Sequence, residues 1–247
     1  MKTELCEIQS AYVIKVKRYE PDQTAKGYIL ALHGFCGSMK SGVIRQLGRQ
    51  MTKRGIAVVT FNFPGHGSSN ADSYFSLENC QKDMLDIMRY ANRLYGVSAP
   101  IAVFGTSFGG YVTLLNLKKL PQNTDIVLRA PAVNMKGTFE NFVNDMASFR
   151  NNGSEDMGFE RKLKVPYSFY TELEKNNIVD HDFNRKLLII YGDSDNVVHS
   201  EDIRSFSLNN RQSLLRIIKG ADHRFKSKEH IDELIKVVDG YLFPEEG

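Results

Sequence analysis

The sequence predicts an α/β protein: a mainly parallel central sheet flanked by helices and interrupted by one long insertion. Two observations carry this expectation. Short apolar runs rich in β-branched residues alternate with longer amphipathic stretches, as strands buried on both faces alternate with the helices that cover them. Past residue 130 that rhythm stops for about fifty residues, far beyond an ordinary connection of ~2–6 residues.

Element by element, the alternation over Ala11–Arg18 predicts a half-exposed antiparallel edge strand. Continuous apolar runs at Gly27–Leu32, Ile56–Phe61, Ile101–Phe104, Asp125–Leu128 and Leu187–Tyr191 predict buried strands, and the mixed run Leu214–Ile218 a last one. Helices are expected near Ser41–Arg54, Glu78–Tyr95, Phe108–Lys119, Glu201–Leu208 and Glu229–Tyr241. In the second of these, Leu77, Met84, Ile87, Ala91 and Leu94 recur on one face, as packing onto a sheet requires. The insertion, residues 131–185, holds Phe139, Phe142, Val143, Met146 and Phe149 at helical spacing. A loop-like Asn151–Gly158 and then Phe159, Tyr167, Phe169 and Tyr170 follow. It reads as a cap subdomain over the carboxyl ends of the strands, within a single domain spanning 1–247. Most of its aromatics are expected to fill its own core, and one or two to line what it covers.

Composition narrows the function classes. A length of 247 residues with 42% hydrophobic and 25% charged residues suits one globular domain with a sizeable core. The net charge of +3 is scattered, with no run of five or six basic residues. No nucleic-acid partner is therefore expected. The first twenty residues lack the apolar stretch of a signal peptide. No apolar run approaches the ~18–20 residues that span a bilayer, so membrane insertion is not expected either. Cys6, Cys36 and Cys80 show no metal-ligand spacing and read as free thiols of a cytoplasmic protein. A homodimer is compatible with all of this.

The strongest local signal is Gly105-Thr106-Ser107-Phe108-Gly109-Gly110, placed between the strand Ile101–Phe104 and a helical run. In a Gly-x-Ser-x-Gly turn of this kind the serine sits on a strained bend, and small neighbours let strand and helix approach closely. A serine hydroxyl is a weak nucleophile and needs an adjacent base. Tyr191-Gly192-Asp193-Ser194-Asp195 follows one later strand and Gly220-Ala221-Asp222-His223 another, both at the sheet edge where open α/β sheets bind ligands. This order assigns Ser107 as nucleophile, Asp195 as orienting acid and His223 as base. Asp193, directly after its strand, is expected to shape the turn. His33-Gly34-Phe35-Cys36-Gly37 closes the strand Gly27–Leu32 and is expected to offer the Phe35 N–H to an oxyanion, beside the Phe108 N–H. His33 is expected to be structural, with its backbone and not its imidazole shaping the turn. His66 is expected to be structural and Cys36 to pack. Neither metal nor organic cofactor is needed for such chemistry.

These motifs resemble the bacterial feruloyl (cinnamoyl) esterase branch of the α/β-hydrolases. The resemblance rests on His-Gly-Phe at 33–35, Pro-Gly-His-Gly at 64–67 and the serine turn at 105–109. Gly-Asp-Ser-Asp-Asn-Val-Val at 192–198 and Gly-Ala-Asp-His at 220–223 extend it over nearly the whole chain. The serine-aminopeptidase and monoacylglycerol-lipase-like families share most of the pattern. Arg129-Ala130-Pro131-Ala132 and Ser168-Phe169-Tyr170 are similar to the esterase branch in particular, and by that resemblance Tyr170 contacts an aromatic acyl group. Where those esterases carry Gly-His-Ser-Gln-Gly-Gly, this chain has Thr106 and Phe108 in the variable positions, which sets a ring near the substrate in place of an amide. The resemblance implies an α/β-hydrolase fold and a serine carboxylesterase for small to medium acyl esters, feruloyl-like ones among them. A peptidase of the same fold, whose insert carboxylates Glu140, Asp145, Glu155 and Glu172 would hold a free amino terminus, is the alternative, together with a monoacylglycerol lipase. A non-catalytic binding protein is disfavoured, because no member of the triad is missing.

Overall fold

The computed structural model describes residues 1–66, 71–158 and 162–244. Its core is an eight-stranded sheet in the order β1-β2-β4-β3-β5-β6-β9-β10. The strands are β1 (Lys2–Gln9), β2 (Val13–Glu20), β3 (Tyr28–Leu32), β4 (Ala57–Phe61), β5 (Ala102–Thr106), β6 (Asp125–Arg129), β9 (Leu187–Gly192) and β10 (Ser213–Ile218). From β4 to β10 all pairings are parallel, while β1–β2 and β2–β4 are antiparallel. Strands β3, β4, β5 and β9 are buried at every residue, which is why they read as unbroken apolar runs rather than alternations.

Helices α1 (Gly42–Lys53) and α8 (Lys228–Leu242) cover one face, burying Ile44, Leu47, Leu234 and Val238 against Ile29, Val58, Phe104 and Leu188. Helices α2 (Leu77–Tyr95), α3 (Phe108–Leu115) and α7 (Ser200–Asn209) join the larger core on the other. α2 begins where the Ser76 side chain accepts the Asn79 N–H and ends at Gly96 with φ 65°, a side-chain cap and a left-handed stop. Leu77, Met84, Ile87 and Ala91 are buried on it as expected, but Leu94, in its last turn, is exposed.

Two elements differ from the sequence reading. The edge strand is β1, paired along its length with β2, so the segment expected at the edge is one place further in. β1 carries no fully buried side chain, and only Cys6 and Ile8 of it pack partly against the core, too short an apolar face for a pattern to reveal. In the insertion, the apolar residues at helical spacing over 139–149 do not share one helix. The insertion folds as α4 (Met135–Glu140), α5 (Met146–Asn152), a separate antiparallel hairpin of β7 (Ser154–Met157) and β8 (Leu163–Pro166), and α6 (Tyr167–Lys175). The stretch expected to be a loop therefore contains the end of α5 and all of β7, whose polar residues pair with the more apolar β8. Phe139 and Phe149 are buried, whereas Phe142 falls between the short helices and is exposed. Phe159 and Gly67 lie outside the described residues.

Candidate active site

Ser107 sits between β5 and α3 with φ 49° and ψ −113°, nearly buried. Such a conformation is strained for a residue with a side chain, and its surroundings enforce it. The Ser107 N–H donates to the Arg129 carbonyl (2.9 Å), while its own carbonyl accepts the N–H groups of Tyr111 and Ala132. Gly109 is required because a Cβ there would lie 2.6 Å from the His33 carbonyl. α3 thus stands directly against the turn that follows β3.

The loops after β9 and β10 deliver the other two groups. Gly192 lets them touch, since a Cβ on it would fall 2.2 Å from the Ala221 carbonyl. His223 Nδ1 lies 2.7 Å from Asp195 Oδ2, and His223 Nε2 lies 3.2 Å from Ser107 Oγ. With Nδ1–H donated to the carboxylate, Nε2 is left to accept the serine proton. The Asp195 side chain is fully buried, and its Oδ1 accepts the N–H groups of Val197 (2.8 Å) and Val198 (3.0 Å). A carboxylate held by three donors is fixed in direction. Asp193, by contrast, is exposed and accepts the Gly220 N–H at 2.6 Å. It ties the loop after β9 to the loop after β10, a longer-range role than the shaping of its own turn that was expected.

The turn after β3 is built by its histidine. His33 Nδ1–H donates to the Gly34 carbonyl (2.8 Å) and Nε2 accepts the Phe63 N–H (3.2 Å). Burial, reinforced by His66, pushes this imidazole down to about 3, so it is neutral. The expectation that only the backbone of His33 shapes the turn is therefore corrected: the ring itself does so. Cys36, expected to pack, is exposed with φ 54°.

The rings of Phe35 and Phe108 meet edge to face at 5.9 Å. The Phe108 ring is wholly buried, among Phe63, His66 and Phe169. It fills the core rather than facing outward near a substrate, which corrects the expectation for that substitution. Phe35 stacks on Phe169 of α6 at 6.0 Å, so the insertion is joined to the turn by aromatic contact. α6 is further anchored where Glu172 accepts the Leu77 N–H (2.8 Å) and where the Tyr111 hydroxyl donates to the Asn176 carbonyl (2.7 Å). Tyr170 lies against Phe139 and Tyr167, and its hydroxyl donates to Glu140 at 2.6 Å. Lys136 binds the same carboxylate oxygen at 2.6 Å and reaches over the Tyr170 ring. Lys136 and then Tyr170 hold Glu140 below its ordinary range.

One residue escaped the sequence reading as a group with a role. Arg129 ends β6 after the apolar run Ile126–Leu128, is 5% exposed, and donates to the carbonyl oxygen of His223 at 2.6 Å. A cation closing the apolar run Ile126–Leu128 was the available signal. Among the described residues no cluster of three or more His, Cys, Asp or Glu is placed to hold a metal, and no helix is long and apolar enough to cross a membrane.

Sheet order, strained serine turn and histidine–carboxylate pair define an α/β-hydrolase of the serine-hydrolase type. The chain belongs to the serine aminopeptidase S33 family, whose model matches residues 23–174. No functionally curated protein sequence matches it. Among solved structures it is similar to Est1E from Butyrivibrio proteoclasticus, with TM-score 0.78, 18% identity and 96% and 97% of the two chains covered. A structure of Est1E with ferulic acid bound aligns with TM-score 0.75 and 20% identity, covering 93% and 94%. Mouse alpha/beta hydrolase domain-containing protein 10 aligns with TM-score 0.77 and 18% identity, covering 97% and 98%. At these identities the likeness shows the fold.

Proposed function

We propose that this protein is a serine carboxylesterase for small to medium acyl esters, including aromatic, feruloyl-like ones. The observation that carries the reading is the continuous chain Ser107–His223–Asp195, at 3.2 and 2.7 Å. In it, His223 takes the hydroxyl proton as Ser107 attacks the ester carbonyl, and Asp195 holds the imidazole and stabilises it once charged. The Phe35 and Phe108 amides receive the oxyanion. His223 then returns the proton to the leaving alcohol, and water, activated by the same histidine, releases the acid. The residues 131–185 act as a cap that supplies the acyl side of the site, with Tyr170 as its contact to an aromatic group. The ferulic acid complex of a relative with this fold supports that class of substrate.

An amino-terminal peptidase would need insert carboxylates free to hold an ammonium group. Glu140 is engaged by Lys136 and Tyr170, Asp145 by the Ala147 N–H and the Ser148 hydroxyl, Glu155 more weakly by the Asn144 side-chain amide at 3.5 Å, and Glu172 by the start of α2. Their engagement favours the ester reading. A fluorophosphonate probe is expected to label Ser107, and p-nitrophenyl esters and methyl ferulate to be turned over faster than aminoacyl-p-nitroanilides. Faster cleavage of the anilides would replace the esterase reading with a peptidase; no labelling would remove both.

A further inference from the structure

The geometry points to Arg129 as a positioning residue of this hydrolase, holding the backbone of His223 so that the imidazole spans the gap between Asp195 and Ser107. The inference rests on the triad reading above. Arg129 does not touch the reacting atoms, and it acts through the base.

The guanidinium is placed for this and for little else. It lies on the β6 face turned toward the loop after β10, since Val127, two residues earlier, belongs to the α1–α8 core, whereas Ile126 and Leu128 belong to the other. One terminal nitrogen donates to the His223 carbonyl at 2.6 Å, Nε points to the Thr106 hydroxyl at 3.3 Å, and the group lies over the Phe225 ring at 5.2 Å. A single rigid fork therefore ties together the strand end beside the nucleophile, the carbonyl of the base and the ring two residues beyond it. A planar, always-charged donor does this better than a flexible ammonium. The backbone carbonyl of Arg129 meanwhile accepts the Ser107 N–H, so one residue fixes both nucleophile and base.

Burying a cation costs free energy unless something returns it. Burial lowers this guanidinium to about 10, with Asp195 and Asp222 working the other way, and it stays charged at neutral pH. Asp222 is itself tied to Lys226 at 3.3 Å. A methionine would fill the same space among Phe225 and its apolar neighbours without that cost. The charged donor is thus explained by what it does to the histidine loop, where a displacement of the base by about 1 Å can cost a hundredfold in rate.

The test compares Arg129→Met and Arg129→Lys with wild type and with Ser107→Ala. Readouts are kcat per fluorophosphonate-titrated site, KM for p-nitrophenyl acetate, and the rate of labelling of Ser107. Arg129→Met, folded by circular dichroism, is expected to lose roughly ten- to a hundredfold in kcat with KM within about twofold. Its labelling rate should fall in parallel, because proton removal from Ser107 is impaired. Arg129→Lys keeps charge and stem but falls short of the carbonyl, and is expected to lose several-fold in both readouts. A merely structural arginine would lower thermal stability while leaving kcat per titrated site unchanged. Wild-type kcat and labelling rate in folded Arg129→Met overturn the inference. Should that variant fail to fold, the same result in Arg129→Lys overturns it. An active Ser107→Ala would instead defeat the triad reading itself, which separates the two failures.

Discussion

Ser107 is held in a backbone conformation that costs a residue with a side chain on the order of 1–3 kcal/mol, at φ 49° and ψ −113°. The fold sustains it through the bonds to Arg129, Tyr111 and Ala132, and the return is a hydroxyl aimed at His223. Because nucleophile and base act as a unit, Ser107→Ala and His223→Ala are each expected to abolish nearly all ester hydrolysis while leaving the circular dichroism spectrum unchanged. More than a tenth of wild-type kcat in either would contradict the assignment. The acids separate more sharply. Asp195 is buried and bonded to the imidazole, whereas Asp193 faces solvent and holds the Gly220 N–H and the Ser194 hydroxyl. Asp195→Asn should lower kcat by about 10⁴, since an amide favours the wrong tautomer, and Asp193→Asn should cost less than tenfold. Steady-state kinetics ranking them in reverse would move the acid to Asp193. Ser107, Asp195 and His223, which the structure brings together, were legible because each follows a strand at the same sheet edge, two of those strands buried and β10 half-exposed, a context that short-range pattern encodes. Arg129 was not. Its importance comes from a carbonyl ninety-four positions away in the chain, and no spacing announces such a partner.

At the scale of elements, the same contrast runs through the fold. β3, β4, β5 and β9 announced themselves because burial on both faces demands unbroken apolar sequence. β1 and the β7–β8 hairpin did not, since β1 is exposed and β7 is polar, and each is a strand by virtue of its partner. The insertion matters because its helix α6 carries both Phe169, stacked on Phe35, and Tyr170. With the Tyr170 proton given to Glu140 and Lys136 hydrogen-bonded to the same hydroxyl, one lone pair remains to accept a donor such as the phenol of a feruloyl group. Tyr170→Phe should therefore lower kcat/KM for methyl ferulate by roughly 1–3 kcal/mol, about ten- to a hundredfold, with little change for p-nitrophenyl acetate. Tyr170→Ala should widen that ratio further by removing the ring. If Tyr170 served only the packing of the insertion, both variants would slow both esters alike. An unchanged ratio of the two kcat/KM values would then remove the acyl-contact role.

For the whole molecule, the N-terminal hairpin is bound to the helical layer through a buried acid. The Tyr12 hydroxyl donates to Asp83 Oδ2 at 2.7 Å, joining the turn between β1 and β2 to α2. Asp83 is fully buried, and its Oδ1 makes no hydrogen bond. Desolvation, only partly offset by Tyr12 and Lys82, pushes its carboxyl up to about 7 from an ordinary value near 3.8. A group whose folded pKa is raised contributes stability that is complete below the unfolded value and lost as pH rises through the folded one. Asp83 therefore favours the fold most at about pH 4, and that benefit fades toward pH 7. His33 works in the opposite sense, because its neutral ring is favoured in the fold and stability falls as pH drops below about 6.5. Comparing wild type with Asp83→Asn isolates the acid, since His33 is common to both. The amide does not titrate, so whatever its packing costs is the same at every pH. The variant's unfolding free energy relative to wild type is expected to improve steadily from about pH 4 to about pH 7, by roughly 2–4 kcal/mol in total, and to level off above. Urea unfolding at pH 4, 5.5, 7 and 8 reads this directly. A difference that stays constant across that range would mean that Asp83 is ionised in the fold throughout, and that the hairpin is held by an ion rather than by a buried acid.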